Sequence, residues 1–176
     1  MKKVVIVWSS ANTDGMTASA ADQVAKGLED AGAQVEKIHL NSKNIEHCRA
    51  CGDGWGACLK KGECVIRDDF TEIYAKLREA DGIVWVSAVY WWDMTECFKA
   101  FFDRLRRCEG FTNKTLAEKR CLLVACAGGT GKGVTECLMQ FERGLTHMGM
   151  RAYDRIPVVR YNRDYMLPAS YSAGSI

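Results

Sequence analysis

Short apolar runs alternate with amphipathic stretches along the chain. Val4-Val5-Ile6-Val7-Trp8, Ile83-Val84-Trp85-Val86 and Leu122-Leu123-Val124-Ala125-Cys126 are continuous apolar runs of strand length. Such β-branched runs suit strands covered on both faces, as in a parallel sheet. Val35 to Leu40 is more mixed, and Ile156-Pro157-Val158-Val159 contains a proline. Both are expected at sheet edges, where a missing N–H costs little. Between the runs, Met16, Ala20, Val24 and Leu28 recur every four residues. Phe70, Ile73, Tyr74 and Leu77 follow helical spacing, as do Met94, Cys97, Phe98, Phe101, Phe102 and Leu105, and then Val134, Cys137, Leu138, Phe141 and Leu145. Asp69 with Glu72 three residues on predicts a capping box for the second of these helices.

The resulting order, β-α-β-(long loop)-α-β-α-β-α-β, predicts an α/β fold with a doubly wound, five-stranded parallel sheet between two layers of helices. Strand order 2-1-3-4-5 puts the two weakest strands at the edges. No linker, repeat or low-complexity segment interrupts residues 1–176, which read as one domain. Residues 41–65 form a cysteine-containing loop. Residues 160–176, polar and Gly/Ser-containing, read as a C-terminal tail that packs on a neighbour or frays.

Composition fits a globular chain: 176 residues, 48% apolar and 26% charged, with two prolines. A formal net charge of +2 is weak for a nucleic-acid binder. No apolar run approaches the roughly 20 residues of a membrane span. The start, Met1-Lys2-Lys3-Val4, lacks the h-region length and cleavage site of a signal peptide. A cytoplasmic location is therefore expected, with the nine cysteines as thiols, metal ligands or redox centres rather than a disulfide framework.

In an open α/β sheet, ligands bind beyond the carboxyl ends of the strands, at the switch point between the first and third. Three loops should meet there. Ser9-Ser10-Ala11-Asn12-Thr13-Asp14-Gly15-Met16-Thr17 packs hydroxyls and an amide into a turn that opens a helix. Backbone N–H groups and the helix dipole can hold a phosphate there without lysine or arginine. Ser87-Ala88-Val89-Tyr90-Trp91-Trp92-Asp93-Met94-Thr95 carries three consecutive aromatics, which suit a planar heterocycle or a subunit contact. Ala127-Gly128-Gly129-Thr130-Gly131-Lys132-Gly133 lets backbone approach a ligand closely. It is not a P-loop, because Gly133 follows Lys132 where Ser or Thr should stand, and the dinucleotide fingerprint GxGxxG is absent.

Taken together, these loops, Cys48-x-x-Cys51 followed by Cys64-Val65-Ile66-Arg67-Asp68-Asp69-Phe70, Ser87-Ala88-Val89-Tyr90 and Lys99-Ala100-Phe101-Phe102-Asp103-Arg104 carry a family resemblance. The chain resembles the NADPH-dependent FMN reductase and iron–sulfur flavoprotein group of the flavodoxin-like superfamily. It departs from the family pattern at Ala88, where proline is usual, and at Ala11 or Asn12, where arginine is common. The resemblance implies FMN as cofactor and NAD(P)H as electron donor. Ser9, Ser10, Thr13, Gly15, Met16 and Thr17 would hold the phosphate. Val89, Tyr90, Trp91 and Trp92 would flank the ring, and Ala127, Gly128 and Gly129 would offer amides to its pyrimidine edge. No catalytic acid or base is required, since the flavin carries the chemistry. The acceptor would be a small molecule (flavin, quinone or similar) or a redox protein.

Cys48, Cys51, Cys58 and Cys64 lie in one glycine-rich loop. A [4Fe–4S] cluster, zinc with His47, and free thiols are all compatible with that count. The iron–sulfur members of the resembled group have two residues between the second and third cysteines, whereas Gly52 to Ala57 intervene here. Two further functions therefore stay open: an electron carrier with FMN and a cluster in the Cys48–Cys64 loop, and a non-enzymatic thiol or metal redox sensor. Cys97, Cys108, Cys121, Cys126 and Cys137 read as buried small hydrophobes. Arg104, Arg106 and Arg107 read as a solvated face or subunit contact. His39 and His147 show no partner. Exposure of Trp91, Trp92 and the tail would favour a homodimer or homotetramer.

Overall fold

A computed structural model describes residues 1–175, with Thr112 described by its backbone alone. Five parallel strands form the sheet: β1 (Lys3–Ser9), β2 (Gln34–His39), β3 (Gly82–Tyr90), β5 (Arg120–Ala127) and β6 (Arg151–Val159). Their order is β2-β1-β3-β5-β6. Counting the parallel strands alone, this is the expected 2-1-3-4-5. The numbering shifts because a short strand, β4 (Asp93–Met94), folds back antiparallel onto the end of β3. The strands outrun the apolar runs that announced them, β3 reaching Tyr90 and β6 starting at Arg151.

Alternation along each buried strand divides the core in two. Val4, Ile6, Trp8, Val84, Val86, Leu122 and Val124 pack on one face against α1 (Met16–Asp30) and α6 (Arg163–Gly174). Val5, Val7, Ile83, Trp85, Leu123 and Ala125 pack on the other, against α3 (Phe70–Glu79), α4 (Glu96–Cys108) and α5 (Val134–Met148), with the short α2 (Ala57–Lys61) lying in the cysteine loop. The second half is aromatic: Phe98, Phe102 and Phe141 meet edge-on, the Phe98 and Phe141 centroids 4.9 Å apart. Each such ring is fully or almost fully buried and stabilises the fold by roughly 1.5–3 kcal/mol.

Residues 160–176, expected as a packing or fraying tail, contain α6 instead. Its small residues are the reason. A Cβ on Gly27 of α1 would overlap the Tyr171 carbonyl oxygen, and a Cβ on Gly174 would sit 2.5 Å from the Val24 carbonyl oxygen. The two helices thus touch backbone to backbone, with Ser170 and Ala173 buried beside the contact. The expected capping box also fails. The Asp69 carboxylate accepts the Asn44 N–H at 2.8 Å, and the Phe70 N–H goes to Asp68 at 3.2 Å. Among the described residues, no helix is long and apolar enough to cross a membrane.

Candidate functional site

The carboxyl ends of β1, β3 and β5 bring the three expected loops to one rim of the sheet. In the first, Ser9 and Thr17 are buried while Thr13 is exposed and Gly15 and Met16 are half-buried. The Ser9 hydroxyl meets Asn41 Oδ1 at 2.9 Å, Cys97 Sγ at 3.0 Å and the Thr95 hydroxyl. Its hydrogen bonds are spent inside the protein, so Ser9 fixes the loop and has little left to offer a ligand. The Ser10 hydroxyl accepts the Asn12 N–H at 3.3 Å, and the Ser10 carbonyl is bonded to His39 Nε2 at 2.9 Å. His39, without a visible partner in the sequence, also stacks on Trp8 with centroids 3.9 Å apart.

The helix that follows starts bare. Gly15 is its N-cap, among the described residues no side chain caps it, and no acidic residue sits in its first turn. A 15-residue helix with such a start offers unsatisfied donors and the positive end of its dipole to an anion. Below it, burial pushes the Cys126 thiol up to about 12.

The second loop is a hairpin. Tyr90 pairs with Asp93, leaving Trp91 and Trp92 as its two-residue turn, with φ of 49° and 65°. Positive φ at both positions is the type I′ pattern, which normally selects asparagine and glycine. Both rings stay in solvent, Trp91 at 89% exposure and Trp92 at 46%, stacked obliquely 6.2 Å apart. Val89 is half-buried under them and pairs with Met94.

The third loop seats this hairpin. Gly133 has φ of 84°, and a Cβ there would lie 2.7 Å from Trp92 Cα, so only glycine allows the approach. Ala127 is buried at the end of β5. At Gly128 and Gly129 a Cβ would meet nothing within 4 Å. Bare helix end, aromatic hairpin and open glycine backbone are the parts that a flat ring with a phosphate tail requires, and the residues present fit FMN. A cavity of about 450 Å³ lies at the opposite rim, beside Lys2, Asp81 and Arg120. It sits at the amino ends of the strands, where open α/β sheets do not place their chemistry.

The cysteine loop is pinned by arginines expected to be solvated. Arg104 is 1% exposed. It grips Asp68 through two N–H groups at 2.6 and 2.9 Å and donates to the Glu46 carbonyl at 2.9 Å. Its guanidinium lies 4.3 Å from the Phe70 ring. Arg107 stacks 4.4 Å from Trp55 and donates to the Gly54 carbonyl. Cys97 is likewise not core: it is half-buried, on Ser9 and Thr95 at the start of α4. Cys108, Cys121, Cys126 and Cys137 are buried as expected. The α4 N-cap Thr95, whose hydroxyl accepts the Phe98 N–H at 3.3 Å, was the readable signal for this junction. Nothing local signals Arg104.

Cys48, Cys51, Cys58 and Cys64 do converge, and Cys108 joins them around a cavity of about 20 Å³. That is room for about one water. Among the described residues no three Cys, His, Asp or Glu side chains are placed to hold one metal ion. The four sulfurs line one cavity without forming such a set.

A family model described as NADPH-dependent FMN reductase matches residues 2–161. The chain is 39% identical over 103 residues to an iron–sulfur flavoprotein of Archaeoglobus fulgidus, a stretch covering 58% of this chain and 45% of that one. It spans about half the length of the curated relatives it matches. Among solved structures, the NAD(P)H:quinone oxidoreductase from Methanothermobacter marburgensis superposes with a TM-score of 0.74 at 18% identity, over 98% of this chain and 94% of that one. A flavodoxin from the domain Archaea superposes with a TM-score of 0.63 at 17% identity, over 98% and 94%. These likenesses show the fold, which is flavodoxin-like.

Proposed function

Because the chain belongs to the NADPH-dependent FMN reductase family, we propose that it binds FMN between the three loops and works as an oxidoreductase. It moves a hydride from NAD(P)H to a flavin, quinone or similar acceptor. The observation that carries this reading is the contact of Gly133 with Trp92, which joins the open glycine backbone to the aromatic hairpin at the rim where α1 begins uncapped.

FMN, when bound, supplies a ring that takes up and gives out a hydride. The chain's own part is to hold and orient it. Backbone N–H groups of Met16 and Thr17, with Gly15 and the hydroxyls of Ser10 and Thr13, receive the phosphate. Ser9 keeps that loop tied to the start of α4. Val89, Tyr90, Trp91 and Trp92 flank the ring and exclude water from it. Ala127, Gly128 and Gly129 turn backbone N–H groups toward its pyrimidine edge, where donors offset the negative charge that grows on reduction. No side-chain acid or base is assigned. A second copy of the chain over Trp91 would bury the rest of the exposed aromatic surface, giving a homodimer or homotetramer.

Adding FMN to the purified chain tests the reading. The expected result is quenching of flavin fluorescence with saturation at one FMN per chain, and NAD(P)H consumption that needs both FMN and an added quinone. Absence of quenching would remove the cofactor. Binding without turnover would leave a flavin carrier and remove the reductase.

A further inference from the structure

Three fully buried hydroxyl residues lie at the base of the flavin slot: Ser9 at the end of β1, Ser87 in β3 and Thr95 at the N-cap of α4. Ser9 and Ser87 are register partners in the β1–β3 ladder, so the phosphate loop and the aromatic stretch start from adjacent points. The stretch that carries the aromatic hairpin runs from Ser87 to Thr95. The Thr95 N–H donates to the Ser87 hydroxyl at 3.1 Å, which closes the base of that stretch. The Ser87 proton goes to the Ala88 carbonyl at 2.8 Å. The Thr95 hydroxyl turns the other way and bonds the Ser9 hydroxyl. Proton counting fixes the direction of that bond. Ser9 has one hydroxyl proton and gives it to Asn41 Oδ1 at 2.9 Å. The proton between Ser9 and Thr95 is therefore the one on Thr95, whose oxygen accepts the Phe98 N–H at 3.3 Å. The Cys97 thiol, 3.0 Å from Ser9 and 3.4 Å from Thr95, has its own proton to give to either oxygen. Thr95 thus holds the aromatic stretch with its backbone and the phosphate loop with its side chain, among groups shielded from solvent, where such bonds are strong.

We propose that Thr95 is a positioning residue with two separable arms: its hydroxyl sets the phosphate loop at the distance FMN spans, and its N–H sets the aromatic hairpin against the ring. The proposal rests on the reading that FMN occupies the slot. A ligand that reaches across two loops gains from both ends only if their separation is fixed beforehand. Otherwise part of the second contact is lost to ordering a loop. Riboflavin has the ring without the phosphate, so its affinity reports the N–H arm alone. The ratio of FMN to riboflavin affinity reports the hydroxyl arm. A merely structural threonine would not separate the two, because a poorly started α4 weakens both ligands together and leaves the ratio as it was.

The test is a flavin-fluorescence titration of the full chain with FMN and with riboflavin, beside a thermal scan of each variant. Wild type should prefer FMN by at least about tenfold. Thr95→Val keeps the N–H arm and the branched shape but loses the hydroxyl. It should bind riboflavin within about twofold of wild type, while its preference for FMN falls below about threefold. Thr95→Ser, which restores the hydroxyl, should recover the preference. Ser87→Ala removes the acceptor of the N–H arm, leaves the tie to Ser9 in place, and keeps the test valid if Thr95→Val does not fold. It should weaken both ligands by a similar factor, about fivefold or more, and leave the preference unchanged. An unchanged preference in Thr95→Val, no recovery in Thr95→Ser, or a lost preference in Ser87→Ala would overturn the proposal while leaving FMN in the slot, as would a wild type that binds both ligands equally. A wild type that does not bind FMN would remove the functional reading and the proposal together.

Discussion

Two tryptophans hold a conformation that their side chains disfavour. A positive φ at a bulky residue costs about 1–3 kcal/mol, and Trp91 and Trp92 carry one each. Strain of this kind persists where the surroundings impose it, and here Gly133 presses on the Trp92 backbone. Trp91→Asn should relieve strain, because asparagine accepts this turn. We expect the flavin-free variant to melt roughly 2–4 °C higher for each kcal/mol recovered, while FMN binds severalfold more weakly. Thermal scans with and without FMN separate the two effects, and a variant that melts lower in both would make the Trp91 ring structural. The buried Arg104–Asp68 pair calls for a pH test. Burial opposes the charge on Asp68, but hydrogen bonds from Arg104 and from the N–H groups of Glu46 and Phe70 outweigh it and hold the carboxyl below its usual range. A depressed native pKa stabilises above the unfolded value, near 3.9 for an aspartate at about the model-peptide level, and that stability drains as pH falls through the native value. Asp68→Asn should therefore cost about 3–5 kcal/mol near neutral pH, because it strands Arg104, and should lose part of the wild-type acid dependence. Urea midpoints at about pH 7 and about pH 3.5 would show both.

Elements announced themselves in proportion to their periodicity. β1, β3 and β5 were legible because each is a continuous apolar run covered on both faces. α1, α3, α4 and α5 were legible because each carries an apolar stripe. α6 has no stripe: its contact with α1 runs through Gly27, Ser170, Ala173 and Gly174, residues whose value is the absence of bulk. The same letters in sequence suggest a loose tail. Gly27→Ala tests that reading. Its new methyl would have to displace backbone of α6, so about 2–3 kcal/mol should be lost, seen as a lower urea midpoint. An unchanged midpoint would mean α6 is only loosely held. Arg104 escaped notice for a different reason. Its carboxylate partner is 36 residues away on a loop, and no local pattern reports a pairing of that span.

At the scale of the molecule, the slot was legible because three unusual loops had to meet once the strand order was known. What sequence could not supply was the division of labour within them, since Ser9 looks like Ser10 until the burial of its hydroxyl is seen. That division leaves the phosphate to N–H groups, hydroxyls and a helix dipole. The Ser9–Thr17 loop has no lysine or arginine and contains Asp14, and the net charge is only +2. A dianion held by fixed dipoles at short range, partly out of solvent, is screened less by salt than one held by flexible surface cations. FMN affinity should therefore change by less than about threefold between roughly 0.05 and 0.5 M salt. Riboflavin, which lacks the phosphate, should bind at least about tenfold more weakly, a difference of roughly 1.4 kcal/mol. Fluorescence titrations of both ligands across salt decide the matter. A steep salt slope for FMN would put a mobile cation such as Lys132 on the phosphate, and equal affinities for FMN and riboflavin would take the start of α1 out of the site.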